Sequence, residues 1–238
     1  GSTRAGTAVC FSPMEAFEGQ RHPAAVGGVP EPREIRSDEA GFAFRRWRWV
    51  SRMRLCFICP EYPPGPHGGV GTMTQVLARA LVCSGHDVRV VGVYPPDYPA
   101  PDVQEDQGVR VWRLREKPMR GGWLLARHEL YRMVAGWARR GEIDLVEGPD
   151  SRGWFAGWPR LPVPVVQRSN GSYTYFAHEL GRAIDQPTFR LERWSYRRAT
   201  AWAAVSRHTA AITARLFRLR AGPVAILHNP VNIPAEMP

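Results

Sequence analysis

The chain has 238 residues, of which 44% are hydrophobic, and its formal net charge is +10 at pH 7. This composition supports a sizeable core, and no stretch reaches the roughly 18 continuous apolar residues of a membrane-spanning helix, so a soluble globular protein is expected. The basic residues are scattered and, except for Lys117, are all arginine. A nucleic-acid-binding surface needs clustered charge, so we expect no nucleic-acid partner. Anionic phosphates and membrane surfaces remain open as partners.

Residues 1–52 are rich in Pro, Gly, Glu and Arg and show no sustained period, which predicts a mostly disordered extension. Near its end, "FAFRRWRWVSRMR" alternates arginine with aromatic residues. Two interpretations stay open for this segment, contact with anionic lipid and a solvated tail. Met53 directly precedes the first strong strand and is a candidate natural start, and no apolar core of a secretory signal is present.

The remaining residues, 53–238, alternate apolar β-branched runs with segments of helical period. This pattern predicts an α/β fold in which a Rossmann-like parallel sheet has helices on both faces. The strands are predicted near residues 55–59, 88–94, 109–114, 143–147, 163–167, 201–205 and 224–227. The helices are predicted near residues 72–83, 123–139, 188–199 and 207–217.

The first predicted helix carries an apolar stripe, and "SGHD" supplies its end. The stripe consists of Val76, Leu77, Ala80 and Leu81. In the strand before it, Cys56 and Cys59 are three residues apart and therefore face opposite sides, so they cannot easily share a metal. Buried thiols in a reducing compartment are the expectation, with no metal site.

Three glycines, Gly68, Gly69 and Gly71, lie between the first strand and the first helix. Backbone amides at the positive end of a helix can face an anion there, because no Cβ is in the way. However, "GVGTMT" lacks the third glycine of a dinucleotide fingerprint and no lysine follows, so neither a nicotinamide or flavin cofactor nor a P-loop is favoured. A phosphate-facing loop and a connection shaped only by packing remain as interpretations.

The stretch "PEYPPGPHGGVGTMTQVLARALVCSGHDVRVV" resembles the amino-terminal signature of the retaining family 4 glycosyltransferases of the GT-B fold. Later segments are similar to that family in the same order, namely "IDLVEGPD", "VPVVQRSNGSYTYFAHEL", "AVSRHT" and "ILHNPVNIP". The resemblance covers nearly all of residues 53–238. It implies two Rossmann-like domains that face each other across a cleft, of which the first mainly holds the acceptor.

The same resemblance implies that Gly68, Gly69 and Gly71 face the diphosphate of a sugar nucleotide held by the second domain. Amides suit that position because negative charge grows on the leaving phosphate as the glycosidic bond breaks. The donor is then a substrate, and neither a metal nor another cofactor is expected.

A catalytic position is implied at Asn170 and Gly171, in "RSNGSY". Many relatives carry a histidine where Asn170 stands, and asparagine cannot take a proton at neutral pH. A retaining transfer in which the leaving phosphate collects the acceptor's proton does not strictly need a base there. The other interpretation of Asn170 and Gly171 is a simple turn pair.

Candidate acceptor-binding residues lie in the loops that follow the predicted strands. The carboxylates of Glu147 and Asp150 alone would also suggest glycoside hydrolysis, but nothing places this pair on either side of a glycosidic bond. For Tyr173 a packing role stays open as an alternative, and for Ser206 the alternative is a cap for the next helix. The full set is Glu147, Asp150, Arg168, Ser172, Tyr173, Ser206 and Arg207.

The chain ends where the resemblance expects the linker to a nucleotide-binding C-terminal domain. We therefore expect the acceptor-binding half of a transferase that moves a sugar from a nucleotide sugar to a saccharide, lipid or other small acceptor. Alone it should be inactive, with the missing domain supplied in cis or in trans. The alternative is a truncated, non-catalytic relative that binds a ligand or a protein. The family's usual setting implies a cytoplasmic protein, with peripheral contact at the inner membrane face as an option.

Overall fold

The computed structural model describes residues 52–231, which contain seven strands and five α-helices. In chain order they are β1 (Arg54–Ile58), α1 (Gly69–Cys83), β2 (Asp87–Tyr94), β3 (Val103–Asp106), β4 (Val109–Arg115), α2 (Gly122–Arg139), β5 (Leu145–Pro149), β6 (Val165–Ser169), α3 (Tyr173–Glu179), α4 (Gln186–Arg198), β7 (Ala201–Ala204) and α5 (Arg207–Phe217). A single 3₁₀ turn, Ser151–Gly153, follows β5. The predicted extension at residues 1–52 lies almost wholly outside the described residues and stays a prediction.

The strands form one sheet in the order β3-β4-β2-β1-β5-β6-β7. All neighbours are parallel except β3 and β4, which form an antiparallel hairpin. The chain runs outward from β1 to one side through β2 and β4, and then returns to the other side with β5. The carboxyl ends of β1 and β5 therefore lie at the point where the strand order reverses, which is where ligands bind in sheets of this kind. The predicted α/β Rossmann-like fold is confirmed.

Both faces of the sheet are covered, as the alternation of side chains along β1 shows. Cys56 and Ile58 pack with the apolar face of α2. Phe57 and Cys59 pack on the opposite face with α1. The prediction that the two cysteines face opposite sides is confirmed, and burial raises the pKa of each thiol to about 12. A third cluster joins α4, α5 and β7.

The predicted helices are found close to their expected bounds, but the buried face of α1 differs from the predicted stripe. Its buried line runs through Gly71, Thr74 and Ala78, with Leu77 and Leu81 packed beside it. Ala80, which belonged to the predicted stripe, is exposed. The difference arises because α1 begins at Gly69 and uses its smallest residues where it crosses the loop after β1.

Several strand predictions were displaced or missed. The strand predicted at 143–147 is β5, Leu145–Pro149, because Ile143 is buried under α2 ahead of the sheet. The strand predicted at 163–167 is β6, Val165–Ser169. β3 and α3 were missed, since "VQED" is polar and α3 is short. The strand predicted at 224–227 is reduced to one bridge between Ile226 and Ala204.

Candidate functional site

The long loop after β1 is held in place by buried polar contacts. The Tyr94 hydroxyl accepts a hydrogen bond from the Tyr62 amide at 3.1 Å. The Tyr98 hydroxyl donates to the Tyr62 carbonyl at 3.1 Å, and Nη2 of Arg113 donates to the Pro63 carbonyl at 2.7 Å. These contacts come from β2, β4 and the loop between β2 and β3. The loop that carries the glycines is therefore anchored on the neighbouring strands.

The three glycines at the start of α1 have different surroundings. The Gly71 amide donates to Oε1 of Glu61 at 2.9 Å, and a Cβ on Gly71 would lie 2.0 Å from the Glu61 carbonyl oxygen. Gly71 is thus required by packing, and its amide is already engaged. Gly68 and Gly69 are exposed, and Gly68 supplies no side chain to cap the helix. Their predicted contact with a diphosphate stays a prediction.

Glu147 and Arg168 form a buried ion pair where β5 and β6 lie side by side. Nε of Arg168 lies 2.6 Å from Oε1 of Glu147, and the two side chains are only 5% and 13% exposed. Nη1 of Arg168 also donates to the Leu227 carbonyl at 3.3 Å. Both were predicted to bind an acceptor. In this structure they bind each other and border a cavity of about 10 Å³, room for one water at most.

Asp150 lies at the end of β5 with 1% exposure and holds the loop after β6. Its carboxylate accepts hydrogen bonds from the Asn170 amide at 3.1 Å, the Gly171 amide at 3.2 Å and the Tyr196 hydroxyl at 3.4 Å. Burial raises the pKa of Asp150 to about 7, with the two amides acting in the opposite direction. Asp150, predicted to bind an acceptor, is engaged with the protein itself.

Asn170 and Gly171 follow β6 in a bend whose amides are bound by Asp150. Gly171 has φ of 113°, and a Cβ there would come within 2.8 Å of the Phe176 ring, so only glycine fits. Oδ1 of Asn170 is buried and has no hydrogen-bond partner among residues 52–231. Asn170 borders the same small cavity as Arg168. Both interpretations of Asn170 and Gly171, a catalytic position and a simple turn pair, stay predictions.

The start of α3 is capped by two side chains. Oγ of Ser172 accepts from the Tyr175 amide at 3.2 Å. Glu192, which is fully buried, accepts from the amides of Tyr173 and Thr174 at 3.1 and 3.2 Å. The polar group of Ser172 is therefore used inside the fold, whereas the Tyr173 ring is 53% exposed.

A polar face of α4 ties the loops after β5 and β6 together, and sequence analysis missed it. Oγ of Ser195 donates to Oε1 of Gln167 at 2.7 Å and accepts from the Phe155 amide at 3.1 Å. Tyr196 contacts Asp150 as described above. Glu192, Ser195 and Tyr196 share one helix face by their i, i+3, i+4 spacing. That spacing was the available signal.

The loop after β7 contains the last two predicted acceptor-binding residues, Ser206 and Arg207. Oγ of Ser206 accepts from the Thr209 amide at 3.0 Å, which confirms the interpretation of Ser206 as the cap of α5. Arg207 is exposed, and its side chain has no hydrogen bond or ion pair with another described residue. The structure does not bring Ser206 or Arg207 into contact with the other predicted site residues.

A groove follows the carboxyl ends of β2, β4 and β5, which lie on both sides of β1. It consists of two adjacent cavities of about 350 and 330 Å³ that share Val93, Glu116, Arg152 and Tyr173. We call it the strand-end groove. The first cavity is completed by Trp123, Arg127, Trp154, Thr188 and Leu191. The second is completed by Ser151, by Val70 of α1 and by the loops after β1 and β2, including Glu61, Asp97 and Tyr98.

The groove contains polar side chains without partners in the fold. Within residues 52–231, no hydrogen bond or ion pair involves the side chains of Glu116, Arg152 or Tyr173. Arg127 differs, since it donates to the carbonyls of Arg152 at 3.2 Å and Gly153 at 2.5 Å. Burial lowers the pKa of Arg127 to about 10. The three polar side chains that border both cavities, Glu116, Arg152 and Tyr173, are thus free.

Of these groove residues, sequence analysis identified only Tyr173. Glu116 follows β4 directly and Arg152 follows β5 closely, so the strand-end rule could have indicated both. Trp123 and Trp154 carried no such signal, because apolar residues at a helix start or in a loop usually belong to the core.

Two further searches of the described residues gave no candidates. In that part of the chain, no three or more His, Cys, Asp and Glu residues are grouped so as to hold a metal ion. None of the helices between residues 52 and 231 has the length and apolar character needed to cross a membrane.

Comparisons with known proteins agree with this fold and sequence. Residues 67–234 match the profile of Glycosyltransferase Family 4. A glycogen synthase of Mycobacterium tuberculosis is 28% identical over 170 residues, covering 61% of this chain and 40% of the synthase. An uncharacterized glycosyltransferase of Methanocaldococcus jannaschii is 36% identical over 63 residues, covering 26% of this chain and 15% of that protein. The chain thus spans less than half the length of these relatives.

Among solved structures, sucrose-phosphate synthase from Thermosynechococcus elongatus superimposes with a TM-score of 0.56 at 16% identity. The match covers 72% of this chain and 47% of that structure, and at this identity it establishes a shared fold. The family match extends over well over half of the residues, from the glycine loop to the segment after β7. The chain therefore belongs to glycosyltransferase family 4.

Proposed function

We propose that the chain is the acceptor-binding half of a retaining glycosyltransferase, which transfers a sugar from a nucleotide-sugar donor to a saccharide, lipid or other small acceptor. One observation carries this proposal. The strand-end groove reaches the first turn of α1 through Val70, and Val70 also borders the small cavity beside Asn170. The exposed amide end of α1, the turn after β6 and the groove thus meet at one edge of the sheet.

The donor diphosphate would approach this edge at Gly68 and Gly69. The positive end of α1 and its unpaired amides favour a phosphate there, and a Cβ at Gly69 would meet nothing within 4 Å, so the approach is open. Gly71 supports the arrangement by letting α1 pass Glu61. A second, nucleotide-binding domain, in cis or in trans, would hold the rest of the donor.

In the proposed reaction, an acceptor hydroxyl attacks the anomeric carbon from the side on which the phosphate departs. The bond to the phosphate oxygen breaks, the new glycosidic bond forms, and the acceptor's proton passes to the departing phosphate. Asn170 cannot take that proton and would instead hydrogen-bond the transferred sugar. Amides near the diphosphate stabilise the charge that develops on it.

A second candidate is a non-catalytic binding module. It is favoured by the contacts around the turn after β6, where Glu147 is paired with Arg168 and Asp150 accepts the amides of Asn170 and Gly171. Under this alternative the strand-end groove still binds a ligand, but no sugar is transferred.

The test starts from the natural protein, isolated from its source with an antibody against this chain. Its intact mass is compared with the 26.8 kDa of the chain, and release of nucleoside diphosphate from UDP-, ADP- and GDP-sugars is measured. We expect a larger protein that releases diphosphate when an acceptor is present, and a product with the donor's anomeric configuration by NMR. The 238-residue chain alone should release none.

A matched pair of variants sharpens this test. In the active protein, Gly69→Val should lower the release rate, because its branched side chain stands at the proposed diphosphate position. The matched control is Gly222→Val, at an exposed glycine after α5 whose Cβ would also meet nothing within 4 Å, and it should leave the rate unchanged. A natural protein of 26.8 kDa that releases no diphosphate would contradict the transferase proposal and favour the binding module.

A further inference from the structure

We propose that the strand-end groove binds an uncharged saccharide of at least two sugar units. This inference rests on the proposed function and names the acceptor class. Trp123 and Tyr173 would pack against the sugar rings, while Glu116 and Arg152 would bind their hydroxyls.

The aromatic side chains of the groove leave apolar surface uncovered. Trp123 is 44% exposed at the start of α2, and Tyr173 is 53% exposed at the start of α3. Each borders the first cavity, and Tyr173 borders the second as well. A pyranose ring presents C–H groups on its faces and hydroxyls around its edge. A ligand of that kind covers exposed aromatic rings and still satisfies polar groups beside them.

The polar groups beside these rings match hydroxyls. Glu116 offers two acceptor oxygens, Arg152 offers only donors, and the Tyr173 hydroxyl can do both. A sugar hydroxyl can donate to the first and accept from the second at once. Since all three side chains border both cavities, they lie where one sugar unit would follow the next.

The backbone that presents Arg152 is in an uncommon conformation. Arg152 has φ of 59° and the following Gly153 has φ of 57°. Left-handed backbone at a non-glycine residue persists only where the surroundings enforce it, and such residues cluster at ligand sites. Here Arg127 enforces it by donating to the carbonyls of both residues. The guanidinium of Arg152 stays exposed and free to bind.

The charge of the second cavity argues against a phosphorylated ligand. Glu61, Asp97 and Glu116 line it, and Arg152 is its one cationic side chain among the described residues. An anion would be repelled there although the whole chain is strongly basic. An uncharged saccharide meets no such repulsion.

The size of the groove sets the minimum length of the ligand. Each cavity, at about 350 and 330 Å³, reaches the lower end of the volumes of roughly 300–1,000 Å³ that hold small molecules. Two adjacent cavities with a shared wall accommodate a chain of sugar units better than one compact ligand.

The experiment titrates the 238-residue chain with three neutral trisaccharides, built from glucose, mannose or N-acetylglucosamine, and measures binding by calorimetry. At least one should bind. Trp123→Ala and Glu116→Gln should each weaken that binding about tenfold, the effect of losing one central contact. Trp194→Ala is the matched control, because Trp194 is 50% exposed but borders neither cavity. Circular dichroism checks that each variant is folded.

Three results would overturn the inference: no binding by any trisaccharide, equal weakening by Trp194→Ala, or tighter binding of glucose 6-phosphate than of glucose. The outcome is separable from that of the transferase test. Binding in the groove without diphosphate release by the natural protein refutes only the transfer reaction. Diphosphate release that Trp123→Ala leaves unchanged, with no saccharide bound to the chain, refutes only the groove assignment.

Discussion

Two parts of the strand-end edge, the pair of strands β5 and β6 and the strand-end groove, differ in whether their polar side chains have partners within the fold. On the β5–β6 side, Arg168 is 4% exposed and paired with Glu147, and Asp150 is 1% exposed and holds two amides. In the strand-end groove, Glu116, which follows β4, and Arg152, which follows β5, have no partner among residues 52–231. Depth explains the difference, because a buried charge must be compensated within the fold, whereas an accessible one need not be.

The comparison separates residues that build the site from residues that are free to bind. A position at the carboxyl end of a strand does not distinguish the two kinds of residue, since both kinds occupy such positions. Exposure together with the absence of a partner does distinguish them. Three sets of substitutions test this distinction between residues that build the site and residues that are free to bind.

The largest effect is expected from Arg168→Met. It leaves Glu147 as an uncompensated charge, which should lower the free energy of unfolding by about 3–5 kcal/mol. Arg152→Met, the same change at an unpaired arginine of the strand-end groove, should stay within about 0.5 kcal/mol. Urea denaturation measures both. Adding Glu147→Leu to Arg168→Met should restore most of the lost free energy of unfolding. Equal effects of Arg168→Met and Arg152→Met would contradict the proposed distinction.

The glycines of α1 offer a second pair. Gly71→Ala should cost about 3 kcal/mol, because its Cβ would lie 2.0 Å from the Glu61 carbonyl oxygen and force the backbone apart. Gly69→Ala should be within about 0.5 kcal/mol of the wild type, since nothing lies within 4 Å of its Cβ. Thermal unfolding of the two variants side by side is the measurement. A stable Gly71→Ala protein would show that α1 can shift at this end.

The third prediction concerns the pH dependence of stability. Burial raises the pKa of Asp150 to about 7 from its ordinary value of 3.8, so the folded state holds this proton more tightly than the unfolded state. The associated stability is complete below pH 3.8 and is lost as the pH rises through about 7. Asp150→Asn removes this dependence.

Between pH 5 and pH 8, the free energy of unfolding of Asp150→Asn should therefore rise relative to that of the wild type by about 2–3 kcal/mol. Urea denaturation at each pH gives the difference. The acidic and phenolic neighbours, Glu192 and Tyr196, remain in both proteins. Curves that run parallel over this range would mean that the Asp150 carboxylate ionises normally inside the fold.

Much of the fold was predictable because apolar β-branched runs mark buried parallel strands. The same rule placed β5 too early, since Ile143 is apolar for packing under α2 and not for pairing in the sheet. The rule could not predict β3, because β3 is a polar edge strand that is defined by its antiparallel pairing with β4.

Site prediction chose residues at strand ends, but it could not separate those paired within the fold from those left free. Glu147 and Arg168 are 21 residues apart in sequence, and only the pairing of β5 with β6 brings them together. Glu192 was not among the predicted residues, because its two amide partners lie in α3, 18 and 19 residues away in sequence. Membership of glycosyltransferase family 4 was recognisable from the glycine loop and the motifs that follow it.

The outer strands of the sheet bear on self-association. β3 is short and its sequence, "VQED", is mostly polar. β7 is covered by the segment after α5, where the Val224 amide donates to the Trp202 carbonyl and the Leu227 amide donates to the Ala204 carbonyl, both at 2.8 Å. Short, charged or covered edge strands resist pairing with the edge of another molecule. The protein can therefore keep an open, partly apolar groove in solution without offering a strand for aggregation.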